Sequence, residues 1–149
     1  MTGYVFLGFG FGIVMHQSGY GGFWPVAMSL FIYAGSMQYM AVNLLTGGAS
    51  LLTTALTTAV VNARHLFYGI SMVGAYKGTG RKKPYLIFAL TDETYSLVSR
   101  KQAPEGIHYH RYCLLISFFD HCYWISGTAL GVSIGAGTVI YMLLIQFIF

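Results

Sequence analysis

Residues 49–75 read ASLLTTALTTAVVNARHLFYGISMVGA, an apolar run of helical length with one arginine near its middle. Its polar residues fall on one line. Thr54, Thr58, Asn62, His65 and Gly69 are spaced four, four, three and four apart, which at 3.6 residues per turn gathers them within about 80° of arc. Arg64 stands about 100° from His65 on the same helix. An unpaired cation there costs several kcal/mol in an apolar medium, so Arg64 must have a partner or face water. An interhelical salt bridge that merely fixes packing would serve equally.

Working outward, the composition suits the same surroundings. Of 149 residues, 56% are hydrophobic and 17% aromatic, while only 8% are charged, against about 25% in soluble domains. Such a chain can make neither a soluble surface nor a disordered tail. Eight Lys or Arg against four Asp or Glu give a net charge of +4. The excess basic residues sit in two clusters, at 77–83 and 100–111, between apolar runs. That is the pattern of positive loops that set membrane topology; a nucleic-acid partner would need a continuous basic face with aromatics beside it. Cys113 and Cys122 have neither a CxxC nor a metal spacing and read as core residues.

A helix needs about 20 apolar residues to cross a hydrocarbon core of about 30 Å. On that measure the expected fold is an all-α membrane protein, a polytopic helical bundle forming a single transmembrane domain over 1–149. Its segments are expected at about 3–15, 23–45, 49–75, 85–99, 112–134 and 138–149. Gly47-Gly48 joins the second and third as a hairpin, and Gly135 to Gly137 separates the last two. Thr91-Asp92-Glu93 interrupts the fourth segment, where two adjacent carboxylates could not face lipid. Full spans throughout would put Lys77, Arg81, Lys82 and Lys83 on one side and Arg100, Lys101 and Arg111 on the other, with almost no bias. A re-entrant fourth segment would put both groups on the cytoplasmic side.

The fourth segment also supplies the counter-charges. Asp92, Tyr95, Ser96 and Ser99 share a face, with Glu93 a step aside. Two carboxylates exceed one arginine, so the surplus is balanced by a carboxyl that takes up a proton, as proton-coupled carriers need, or by a substrate ammonium. A plain helix N-cap at Thr91-Asp92 is the alternative. In the second segment Ser29, Tyr33, Ser36 and Asn43 lie on one arc, and Gln38 lies opposite unless the helix breaks around AGSMQ at 34–38. A break would let Gly35 and Ser36 offer backbone N–H groups to a carboxylate at mid-membrane; close packing through small residues is the other reading. Gly127, Gly131 and Gly135, with Asp120 on the same face, form a packing stripe that Gly8 and Gly12 can meet. His16 and His121 read as interface or core histidines, and no metal site is expected. GxSxG and HExxH are absent, and GFGFG follows no strand. No catalytic residue and no cofactor is expected.

Three stretches together resemble the AzlC family of branched-chain amino-acid permeases: ASLLTTALTTAVVNARHLFYG at 49–69, TDET at 91–94 and AGSMQYMAV at 34–42. LGFGFG at 7–12 resembles that family's first glycine-rich helix, and WISGTALG at 124–131 resembles its fifth-segment motif. The resemblance implies a multi-pass protein of the bacterial cytoplasmic (inner) membrane. It further implies export of branched-chain amino acids, in many members with a small membrane partner of the AzlD type. A very short N-terminus and the tail at 137–149 depart from the family pattern and lead to the expectation of a chain shortened at both ends.

The function expected from residues and resemblance together is secondary transport, not enzymology. A valine, leucine or isoleucine zwitterion sits near mid-membrane, its carboxylate at the Gly35-Ser36 turn or Arg64 and its ammonium at Asp92 or Glu93. Asn62, His65 and Gln38 complete the substrate-binding set, and Asp92, Glu93 and His65 carry any proton coupling. Methionine is expected to pass as well, since one methylene is worth only about 1–3 kcal/mol in an aliphatic slot. The expected partners are the amino acid, the lipid bilayer, an AzlD-type subunit and further copies of the chain, with no nucleic acid. The alternative is a non-transporting structural or regulatory membrane subunit whose polar residues lock helices together.

Overall fold

A computed structural model describes the backbone over residues 2–148 and the side chains over residues 3–137. Among the described residues the regular structure is all helical: α1 Thr2–Gln17, α2 Phe23–Phe31, α3 Gly35–Thr46, α4 Leu51–Met72, a 3-10 turn Gly80–Lys82, α5 Lys83–Phe88, α6 Asp92–Val98 and α7 Tyr109–Ile148.

Local chemistry sets most boundaries. Ser50 caps α4 by accepting the Thr53 N–H at 3.1 Å, and Gly48, with φ of 61°, turns the chain from α3 into α4. Pro84 occupies the first turn of α5, where its missing N–H costs nothing. The stretch 23–45 is not one helix. Tyr33 takes a left-handed φ of 48° between α2 and α3, so the chain kinks immediately before Gly35.

The closest helix packing lies in the seam between α1 and α7. A Cβ on Gly8 would lie 2.6 Å from the Trp124 carbonyl oxygen, and one on Gly12, Gly127 or Gly131 would run into the carbonyl of Thr128, Val5 or Phe9. The two glycine stripes therefore pack backbone to backbone, as expected of small residues repeating every four. This contact also corrects the expected division at 135–137. Gly135 packs on His16, and the two segments expected at 112–134 and 138–149 are one helix of 40 residues. The side chains beyond residue 137 lie outside the described residues.

Two apolar clusters flank the seam. The first holds Tyr4, Phe11, Met15, Tyr33, Val42, Ala89 and Trp124. The second holds Met72, Tyr76, Leu86, Leu90, Val98 and Cys113. Leu86 of α5 and Val98 of α6 thus meet at one end of the molecule, while Ala89 between them reaches the first cluster. The stretch expected as a segment at 85–99 is a broken hairpin that enters and leaves by the same end. At that end a His110 ring nitrogen lies 3.1 Å from the Ala75 carbonyl, and the Tyr109 hydroxyl donates to the Val98 carbonyl at 2.8 Å. These contacts put both basic loops on one end.

The outside of α4 is apolar. Leu52, Leu56, Val60, Phe67 and Ile70 are exposed, Val60 by 76%, whereas Thr54, Thr58, Asn62, His65 and Gly69 are partly covered. Polar residues face inward and apolar residues outward. Among the described residues no helix is both long and apolar enough to cross a membrane. Breaks shorten the others, and the two long helices carry Asn62, Arg64 and His65 or Asp120 and His121 in their middles.

A charged cavity between broken helices

The kink at Tyr33 and the break at Ala89 to Thr91 bring the starts of α3 and α6 to one place on the side of α4. There the Arg64 guanidinium pairs with the Asp92 carboxylate, donating through Nη1 to Oδ2. Its Nη2 donates to the Ser36 Oγ at 2.6 Å. One cation thereby joins α3, α4 and α6. Asp92 and Glu93 occupy the first turn of α6, where carboxylates also favour the positive end of the helix. Thr91 caps that helix, its Oγ1 accepting the Thr94 N–H at 3.5 Å and the Tyr4 hydroxyl at 3.0 Å. The cap and the charge partner are adjacent residues of one motif: Thr91 caps α6 and Asp92 pairs with Arg64.

A cavity of about 110 Å³ opens at this junction, lined by Gly35, Ser36, Arg64, His65, Asp92 and Glu93 among the expected residues. That is smaller than the roughly 300–1,000 Å³ of ordinary small-molecule sites. It suits the polar head of an amino acid better than a whole ligand. Its charged walls are only partly satisfied. Asp92 Oδ1, Arg64 Nε and His65 Nδ1 are buried and lack a hydrogen-bond partner, a costly arrangement unless something binds there.

Two expected residues do not reach the cavity. Gln38 is fully buried, and its amide is consumed by a structural network: Nε2 donates to Ser29 Oγ at 3.2 Å, and Oε1 accepts the Trp124 indole N–H at 3.1 Å. Ser29 in turn meets Thr128 Oγ1 at 2.9 Å. The kink rotates α3 so that Gly35 and Ser36 face the cavity while Gln38 turns into the α2–α7 interface. Asn62 lies one turn from His65 with a buried Oδ1 that has no partner, but it is not in the wall.

The wall also contains Tyr4, Leu7, Tyr39, Thr91 and Trp124. Thr91 carried a sequence signal as the head of TDET. Tyr4, Leu7 and Tyr39 carried none, because an apolar or aromatic residue in an apolar helix looks the same on every face. The Tyr39 hydroxyl donates to the Leu7 carbonyl at 2.6 Å, and this fixes the rim where α3 crosses α1.

Fold and cavity together define an all-α protein with a charged site sunk between interrupted helices and an apolar exterior. The chain belongs to the AzlC family: residues 1–138 match the family described as AzlC protein. It is 41% identical to the Branched-chain amino acid transport protein AzlC of Bacillus subtilis over 91% of this chain and 53% of that one. It is 39% identical to an uncharacterized membrane protein of Helicobacter pylori strain 26695, over 91% of this chain and 60% of that one. The Inner membrane protein YgaZ of Escherichia coli is 28% identical, over 90% of this chain and 56% of that one. The chain thus spans about half the length of the curated relatives it matches. No solved structure matches it.

Proposed function

We propose that this chain forms part of a secondary transporter that moves branched-chain amino acids out of the cell across the cytoplasmic membrane. The observation that carries the reading is that one cavity is lined by the Arg64 guanidinium, suited to a carboxylate, and by the Asp92 and Glu93 carboxylates, suited to an ammonium, with Arg64 Nε and Asp92 Oδ1 buried there without hydrogen-bond partners. A zwitterion supplies both at once. His65 and Glu93 stand beside them, and no bond needs to be made or broken, so the reading is of transport without an enzymatic step.

Membrane residence is supported by the inverted polarity of α4 and by the names of the relatives. Substrate class is supported by the name of the Bacillus relative, and export direction by the family resemblance. An AzlD-type partner, assembly of several copies, and proton coupling through Asp92, Glu93 or His65 belong to the same proposal.

The test is counterflow of labelled leucine in liposomes containing the purified chain, with and without a small AzlD-type membrane protein. Saturable exchange of leucine, isoleucine and valine supports the reading, and an imposed pH gradient that leaves net efflux unchanged removes the coupling. A second reading, a locking subunit without transport, draws on the way Arg64 ties three helices together. It requires Arg64→Ala to unfold the protein, whereas the transporter reading requires a folded, inactive one.

A further inference from the structure

Two more cavities follow the first along α6. The middle one, of about 290 Å³, shares Tyr4, Leu7 and Glu93 with the Arg64 cavity and adds Ser96, Leu97 and Asp120. The outer one, of about 600 Å³, shares Ser96 and Leu97 with the middle one and reaches Arg100, Gln102 and Tyr112. Each neighbouring pair has walls in common, and those on this stretch advance by helical turns: Glu93, then Ser96 and Leu97, then Arg100. Positions i, i+3, i+4 and i+7 lie on one face of a helix, so a single face of α6 together with Arg100, two residues past its end, borders all three spaces.

We propose that the three cavities form one route by which the amino acid passes between the Arg64–Asp92 site and the basic end of the molecule, with Glu93 and then Leu97 lining it in succession. The proposal rests on the transporter reading above. The chemistry along the route matches an aliphatic zwitterion. The carboxylates of Glu93 and Asp120 border the middle space and attract an ammonium, Leu7 and Leu97 give the side chain an apolar wall, and Arg100 meets the carboxylate at the outer mouth. Asp120 is held in place by Thr94, whose hydroxyl donates to its Oδ2 at 2.9 Å.

The experiment uses Leu97→Cys, since Leu97 lines the middle and outer spaces but not the Arg64 cavity. The purified variant in liposomes is treated with benzyl methanethiosulfonate, and counterflow and equilibrium binding of labelled leucine are measured before treatment, after it, and after reduction with dithiothreitol. The parent chain, which holds Cys113 and Cys122, gives the background. The expected result is at least a tenfold loss of counterflow on modification, binding within twofold of the untreated protein, and recovery on reduction. Because the block is reversible, the same folded molecules report both states. Complete modification with undiminished counterflow overturns the route while leaving the transporter reading in place. Failure of the parent chain to bind leucine overturns the transporter reading and, with it, the route.

Discussion

Arg64 spends two of its nitrogens on Asp92 and Ser36 and keeps the third unpaired, which separates its structural share from its binding share. The side chains of the pair are 35% and 34% exposed, and ion pairs of that exposure stabilise by about 1 kcal/mol or less. Arg64→Ala is therefore expected to lower thermal stability by only a few degrees, read by unfolding of the purified protein, while leucine counterflow falls below a tenth of the parent's. Gln38 is the converse case. Gln38→Leu leaves the Trp124 N–H and the Ser29 hydroxyl short of partners inside the bundle, at a cost of about 1–3 kcal/mol. Its melting temperature should drop clearly while the half-saturating leucine concentration of the folded protein stays within twofold. The difference between these residues was only half legible in the sequence. A lone arginine in an apolar run announces that it needs a partner, and TDET offers one. Gln38 looked equally suited to a ligand because a break around 34–38 was expected to bring it round to Ser36, and a one-dimensional pattern does not report which way the left-handed Tyr33 turns the following helix.

Among the elements, α1 and α7 depend most on what is absent from their side chains. Adding a methyl at Gly131 drives it into the Phe9 carbonyl, and overpacking of this kind costs about 1–3 kcal/mol. Gly69, by contrast, sits in α4 with nothing within 4 Å of a built Cβ, and Gly→Ala in a helix interior gains about 0.5–1 kcal/mol. Gly131→Ala should thus lower the unfolding temperature and Gly69→Ala should raise it slightly, measured side by side in one detergent. The same glycines explain why the helical class and the α1–α7 pairing were readable while the length of α7 was not. A stripe of glycines at four-residue spacing announces close packing, but glycines near a segment end also look like a turn, and only the neighbouring His16 shows which applies at Gly135. The broken hairpin of α5 and α6 was legible as an alternative, since the positive charges favoured it. The aromatic wall of Tyr4, Tyr39 and Trp124 was not, because it is assembled from three helices distant in sequence.

At the scale of the whole molecule, the contacts from Ala75 to His110 and from Val98 to Tyr109 bring the two basic loops together. Seven of the eight basic residues then lie at one end, with Arg64 alone at depth, which matches the excess of Lys and Arg on cytoplasmic loops. Lys82→Cys and Lys101→Cys should be labelled by an impermeant thiol reagent from the same face of the membrane, and labelling from opposite faces would show α5 and α6 to span. The ion pair also has a history in time. Arg64 leaves the ribosome 28 residues ahead of Asp92, so α4 is complete while the counter-charge of its arginine is still to be made. Ser36, already made, offers it one hydrogen bond. The pair closes only once the short α6 has been synthesised, which makes a seven-residue helix the later-made half of the charge pair at this site.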